Sequence, residues 1–237
     1  MRGKNQYVGS AARSGFEEVC TLFKESRDQD RSSLPIGVKR NFIPSDFRNA
    51  HRSIELGVEE GVLHQSSTVL DLGSGNGVIT CAFGMLGFTS YGIELSDVLV
   101  DEARKNKLKV AELGLLGGSA MFAGGNYLPV KVRKKTTQDI DGYVLLNGEN
   151  DPYVNLGVTS ETIDIFYCWP WPDQLPSLYV FFGECAKPGA LFLLNSIEAS
   201  FTPRTMEFAY PSVQLHRENE LSGSKFQDCF TIWEKRC

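Results

Sequence analysis

Val69-Leu70-Asp71-Leu72-Gly73-Ser74-Gly75-Asn76-Gly77-Val78-Ile79-Thr80 decides the reading of this chain. An apolar run ending in an acidic residue passes through three alternating glycines and re-enters an apolar pattern at helical spacing. That order specifies a strand, a tight turn and a helix N-terminus. Glycines suit such a turn because its backbone angles are closed to residues with side chains, and because a ligand can then touch the main chain. The spacing is Gly-x-Gly-x-Gly. The dinucleotide fingerprint places its third glycine one residue later, where this chain has Val78.

Downstream, Ser90-Tyr91-Gly92-Ile93-Glu94 reads as a second short strand ending in a carboxylate. Glu94 falls about where the second strand of a mononucleotide-binding unit ends. A carboxylate there can accept hydrogen bonds from both hydroxyls of a ribose, each charge-assisted bond contributing roughly 1.5–3 kcal/mol.

Outward from this pair the chain alternates. Strands are expected near 68–72, 90–94, 119–122, 162–168 and 190–195, and helices near 76–86, 97–112 and 174–186. Such alternation predicts right-handed crossovers and an α/β, Rossmann-like, doubly wound, mostly parallel sheet with helices on both faces. The ligand belongs at the carboxyl ends of the strands. At the C-terminus, Phe226–Trp233 alternates with period two, Val213-Gln214-Leu215-His216 is its partner strand, and Ser222-Gly223-Ser224 is the turn of a closing antiparallel hairpin. Before the sheet, Phe16, Val19, Cys20 and Phe23 predict a short helix over about 13–26, with a polar linker from about residue 28. Ile43-Pro44-Ser45-Asp46 opens another helix, with Ser45 as the cap, Phe47, Ala50, Ile54 and Val58 on one face, and Gly61 as its stop. Two domains follow: 1–41 as helix and linker, and 42–237 as the main unit. Residues 128–161 form a long connection where one helix is expected. It carries Lys131-Val132-Arg133-Lys134-Lys135, Tyr143-Val144-Leu145-Leu146 and the turn-rich Asn147–Pro152, and is read as a lid or recognition element.

With these residues in place, the chain resembles the class I S-adenosylmethionine-dependent methyltransferases over about residues 42–200. Asp71-Leu72-Gly73-Ser74-Gly75-Asn76-Gly77 and Tyr91-Gly92-Ile93-Glu94 carry the resemblance. Gly125-Asn126-Tyr127 is similar to the family's third motif, with Asn126 where an Asp usually meets the adenine amine. Ile163–Cys168 resembles the fourth strand, and Lys187-Pro188-Gly189 the turn into the fifth. The resemblance implies S-adenosyl-L-methionine as cofactor, bound by Asp71, Gly73, Ser74, Gly75, Asn76, Gly77, Glu94, Leu95, Asn126, Tyr127 and Cys168. In that reading Asp71 holds the glycine turn or meets the methionine amino end. The bland alternative is a strand-end Asp that caps the next helix.

After the fourth strand comes Trp169-Pro170-Trp171-Pro172-Asp173-Gln174. The resemblance places residues lining the transferring methyl here, and aromatic faces stabilise cations such as a sulfonium. Nucleic-acid amino-methyltransferases have a polar residue, two prolines and an aromatic at this point, a pattern this chain lacks. The segment is similar to that of poorly characterised bacterial methyltransferase-like proteins with an aromatic-Pro-Trp-Pro run. Trp169 and Asp173 are the candidate catalytic residues. Asp173 serves as a base near the acceptor, or as the N-cap of the helix that follows.

The 237 residues carry a net charge of −5, 42% hydrophobic and 22% charged residues, as a globular domain does. The negative balance makes nucleic acid an unlikely partner, with residues 131–135 the one basic stretch that could follow a phosphate backbone. Six scattered cysteines without a Cys-x-x-Cys pair and three isolated histidines give no metal spacing and suggest free thiols in a reducing, cytoplasmic setting. No run suggests a membrane span. The leading expectation is methyl transfer to a small molecule or protein side chain. The alternatives are a cofactor-binding scaffold without turnover, a nucleic-acid methyltransferase and, more weakly, a nicotinamide-dependent oxidoreductase. The acceptor and the oligomeric state are not legible.

Overall fold

Among the described residues, seven strands form one sheet in the order β3-β2-β1-β4-β5-β7-β6. They are β1 (Thr68–Leu72), β2 (Thr89–Glu94), β3 (Ser119–Gly124), β4 (Ile165–Cys168), β5 (Leu191–Asn195), β6 (Val213–Asn219) and β7 (Phe230–Lys235). The first five are parallel; β7 runs antiparallel to both β5 and β6, with an irregular register between Leu215 and Arg217. This computed structural model describes residues 10–33, 45–136, 151–170, 174–195, 213–219 and 230–235.

The order follows from the connections. From β1 the chain winds outward through β2 to β3, then returns to lay β4 on the other side of β1. Crossovers therefore diverge between β1 and β4, whose carboxyl ends, where Leu72 lies beside Cys168, are the place at which such sheets bind ligands. Alternation along the buried strands feeds two core layers. Val69, Ile165, Tyr167, Leu193 and Ile232 face one layer; Leu70, Leu72, Phe166, Cys168, Phe192, Leu194 and Trp233 face the other.

The first layer is covered by α1 (Ser10–Ser33), α2 (Phe47–Glu59), α3 (Val78–Met85) and α4 (Asp97–Glu112). The second is covered by α5 (Val130–Thr136), α6 (Pro152–Leu156) and α7 (Leu175–Cys185). Phe181 and Phe182 of α7 meet Phe166 edge-on, and Phe182 stacks on Phe192 at 5.0 Å.

Four boundary expectations change. Helix α1 is longer than 13–26: residues expected as linker from about 28 stay helical to Ser33. Asp28, Asp30, Ser32 and Ser33 are weak helix formers, so the extension comes from propagation off earlier turns that are docked, not from local propensity. The cap of α2 is Asp46, whose carboxylate accepts from the Asn49 amide at 2.9 Å, rather than Ser45. Strand β4 starts at Ile165. Residues 160–162 turn as a 3-10 helix closed by a Thr159/Thr162 capping box. The long connection is helical at both ends, in α5 and α6; residues 137–150, which hold Tyr143–Leu146 and most of the turn-rich run, lie outside the described residues. The hairpin pairs as expected, with its second strand beginning at Phe230; its turn also lies outside the described residues.

Candidate cofactor and active site

Strand β1 delivers the chain into the glycine turn at the switch point. Gly73, Gly75 and Gly77 take φ angles of 85°, 54° and 88°. Gly77 shows why a side chain is excluded there: besides its left-handed φ, a Cβ would lie 2.8 Å from Cζ of Phe122. Over Gly73 the opposite holds, since a Cβ would meet nothing within 4 Å. The turn is stitched to β2 by the Gly73 and Ser74 amides, which donate to the Ile93 carbonyl at 2.9 and 3.0 Å.

Glu94 ends β2 and braces this turn. One carboxylate oxygen accepts from the Gly75 amide and the other from the Ser96 amide, both at 2.9 Å. Burial pushes its pKa up, and these amides pull it back toward the ionised form. Each oxygen keeps a lone pair beyond the one engaged, so the carboxylate can still receive donors from a ligand.

Asp71 occupies a different place from a turn-holding group. It is 2% exposed, and its carboxylate accepts from the Thr80 hydroxyl of α3 at 2.9 Å. Burial raises its pKa to about 7, with the neighbouring charge of Glu94 acting in the same direction. The Thr80 contact ties β1 to the first turn of α3, which is the helix-anchoring alternative, and Glu94 takes the turn amide instead. Ser74 is buried with its hydroxyl unpartnered among the described residues, packed against Gly92, where a Cβ would come within 2.7 Å of it.

The next strand end adds the loop after β3. The Gly125 amide donates to the Glu94 main-chain carbonyl at 3.0 Å, so this loop is joined to the end of β2. The Asn126 side-chain oxygen accepts from the Leu128 amide at 2.9 Å, and the Tyr127 carbonyl accepts from the Tyr153 hydroxyl of α6 at 2.6 Å. Leu95, beside Glu94, is exposed.

Strand β4 contributes Cys168, whose thiol donates to the Leu72 carbonyl at 3.4 Å. Burial holds that thiol well above its ordinary pKa, so it is a neutral packing group rather than a nucleophile. Trp169 and Pro170 follow, half-buried at the rim. Trp171, Pro172 and Asp173 lie outside the described residues; α7 begins after Gln174, which makes no side-chain capping hydrogen bond.

Asp71, Gly73, Ser74, Gly75, Asn76, Gly77, Glu94, Asn126, Tyr127 and Cys168 thus lie on or just after the ends of four adjacent strands, β3, β2, β1 and β4, and on the turn between β1 and α3. Sequence reasoning missed the groups that set this arrangement: Thr80 on Asp71, Tyr153 behind Tyr127, and Ser26 and Asn106 around Asn76. The last two left a signal. Ser26 continues the spacing of Phe16, Val19 and Phe23, and Asn106 continues that of Leu99 and Ala103, so each is a polar residue on a buried helix face.

No family model matches the chain, and neither does any curated protein. Solved structures do match. An O-methyltransferase from Bacillus cereus in complex with S-adenosylhomocysteine is 16% identical, with 94% of this chain and 91% of that one covered at a TM-score of 0.54. An RNA methyltransferase from Salinibacter ruber, also with S-adenosyl-L-homocysteine, is 18% identical over 82% of this chain and 94% of that chain, at 0.51. The O-methyltransferase TomG from Streptomyces achromogenes, involved in tomaymycin synthesis and in complex with S-adenosylmethionine, is 12% identical over 94% and 90%, at 0.52. The chain has the fold of these methyltransferases. Among the described residues no cluster of His, Cys, Asp or Glu could hold a metal ion, and no helix is long and apolar enough to cross a membrane.

Proposed function

We propose that this protein transfers a methyl group from S-adenosyl-L-methionine to a small molecule or a protein side chain. The observation that carries the reading is Glu94, a half-buried carboxylate at the end of β2 that grips the glycine turn through Gly75. The residues fit the cofactor. Open space lies over Gly73, the Ser74 hydroxyl is buried without a partner, and Glu94 retains acceptor capacity for ribose hydroxyls. Gly73, Ser74, Gly75, Asn76 and Gly77 would hold the methionine part against main chain, and Leu95, Asn126 and Tyr127 would border the adenine. When bound, the cofactor supplies an activated methyl on a good leaving group.

The protein's share is then mainly positioning for in-line attack, which can contribute about 7–11 kcal/mol without acid–base help. Trp169, half-buried just beyond β4, would wall the acceptor side, and Asp173 is the proposed base or helix cap. The aromatic-Pro-Trp-Pro run that starts at Trp169 also supports grouping this chain with poorly characterised bacterial methyltransferase-like proteins. The neutral Cys168 thiol argues against a covalent cysteine route. We place the boundary between the appended N-terminal segment and the catalytic unit near residue 42. The free thiols of Cys20, Cys81, Cys168 and Cys185 fit a cytoplasmic setting.

A cofactor-binding scaffold without turnover is the second reading. It draws on Asn126, whose side-chain oxygen is already engaged by the Leu128 amide. A nucleic-acid acceptor is less favoured by the net charge of −5.

Calorimetric titration with S-adenosylmethionine and S-adenosylhomocysteine, with NAD as control, tests the cofactor. Micromolar binding of the first two and none of NAD is the expected result; no binding of either overturns the proposal. Labelled methyl donor offered with fractionated small molecules and proteins then separates enzyme from scaffold. Transfer of label supports the first, and binding without transfer to any fraction supports the second.

A further inference from the structure

Ser26 lies on α1, fifty residues before the glycine turn, yet its hydroxyl is bonded to it. The Asn76 side-chain amide donates to Ser26 Oγ at 3.0 Å, and the Asn106 side-chain amide of α4 donates to the same oxygen at 3.2 Å. The hydroxyl in turn donates to Glu102 Oε1 at 3.5 Å. The oxygen thus accepts from two asparagine side chains while its proton is directed to a carboxylate. Asn106 spends its second amide hydrogen on the Asn76 carbonyl at 3.1 Å. All three residues are buried: Ser26 is 4%, Asn76 1% and Asn106 0% exposed.

Asn76 stands between Gly75, whose amide binds Glu94, and Gly77, which starts α3. A single side chain therefore links α1 to the turn that Glu94 braces. Apolar contacts, with the exposed Glu17–Arg48 ion pair beside them, hold the described turns of α1 before Ser26. Val19 and Phe23 are in the core, Phe23 stacks on Phe47 at 4.9 Å, and Phe16 meets His51 edge-on. Those contacts would suffice to dock an amphipathic helix. They do not account for a serine at the next core-facing position, joined to two asparagines. A buried polar network with a member removed costs more than an apolar contact of the same shape, so α1 docks well only when the turn presents Asn76 in this pose.

We infer that Ser26 is a positioning residue for the glycine turn, which makes α1 part of the cofactor site: docking of α1 and occupancy of the turn stabilise each other. Reciprocity is a thermodynamic requirement once the two are coupled. The occupancy half rests on the proposed cofactor; the docking half does not.

Amide hydrogen exchange on the full chain reads both halves. Without ligand, Ser26→Ala is expected to speed exchange about tenfold in residues 73–78 as well as in α1, while β4 and β5 keep wild-type protection; Ser26→Thr, which keeps the hydroxyl, restores it. With S-adenosylhomocysteine, wild-type protection is expected to rise in residues 14–26 together with 73–78. Ser26→Ala should raise the dissociation constant roughly tenfold. If Ser26→Ala loosens α1 alone, or if the ligand protects the turn and leaves α1 unchanged, the inference is overturned. If wild type binds no S-adenosylhomocysteine, the cofactor proposal fails and the ligand-free arm still decides the docking half. If Ser26→Ala raises exchange everywhere, Asn106→Ala opens the same network from α4, and wild-type exchange in residues 73–78 in that variant overturns the inference.

Discussion

Asp71→Asn isolates the cost of burying a carboxylate under the glycine turn. Asp71 is 2% exposed and accepts from Thr80; Glu94 and the neutral thiols of Cys81 and Cys168 are titratable groups around it. Burial lifts its pKa from 3.8 to about 7. In the unfolded chain the group ionises near pH 4, whereas in the folded chain it holds its proton to about 7. Folded protein therefore binds more protons across that window, and its stability falls as pH rises through it. At about 1.4 kcal/mol per pH unit the loss reaches roughly 4 kcal/mol by pH 8. Below pH 4 the protonated acid and the amide are near equivalents. The assay is urea denaturation of wild type and Asp71→Asn at intervals from pH 4 to 8. Their difference in unfolding free energy cancels the titration of other groups and should move by roughly 4 kcal/mol in favour of the variant, with most of the change between pH 4 and 7. A difference that stays flat would show that Asp71 ionises at its ordinary pKa, and the dry environment argued for the turn would be refuted.

Glu94→Ala should weaken S-adenosylhomocysteine binding by about 2–3 kcal/mol through lost charge-assisted bonds; unchanged affinity in calorimetry would remove the ribose role. Gly77→Ala places a side chain at φ 88° and 2.8 Å from Phe122, so thermal melting should show a loss of at least about 1–2 kcal/mol, and an unchanged melting temperature would count against the strain argument. Trp169→Ala should lower methyl transfer while leaving the melting temperature within a few degrees of wild type, because Trp169 is half-buried at the rim. A collapsed melting temperature would make it a core residue.

The sheet was legible because its strands are short apolar runs separated by glycine turns, and because alternation of strand and helix admits few topologies. The closing hairpin was legible from period-two alternation, the Ser222-Gly223-Ser224 turn signal and the resemblance to the methyltransferases. What failed were boundaries decided by tertiary contact. Nothing local in Lys24–Arg31 distinguishes a linker from a helix that continues off a docked turn, since the same charged residues suit both. The start of β4 depended on a partner far away in sequence: Asp164, just before Ile165, accepts from the Thr68 amide and hydroxyl at 2.7 and 2.8 Å and pairs with Lys187 at 2.6 Å. Those contacts fix the residue in a bend where the local pattern suggested strand.

The site divides the same way, and the division has a physical cause. Glycines at 73, 75 and 77 are visible because left-handed backbone angles demand that residue type, and the carboxylate at 94 because it ends an apolar strand at a fixed distance from the turn. Thr80, Tyr153, Ser26 and Asn106 are invisible to motif reading because each acts through a partner that only folding brings near. A buried polar residue on an apolar helix face nevertheless has to be satisfied, and that requirement can be read from one sequence. Ser26 follows Phe16, Val19 and Phe23 on one face, and Asn106 follows Leu99 and Ala103 on another. Each position therefore asks for a polar partner inside the core before any coordinate is known. In this chain the two interruptions answer each other, and Asn76 of the glycine turn completes them. Polar interruptions of apolar stripes are thus the sequence signal by which the supports of such a site can be sought, as the glycines are the signal for the site itself.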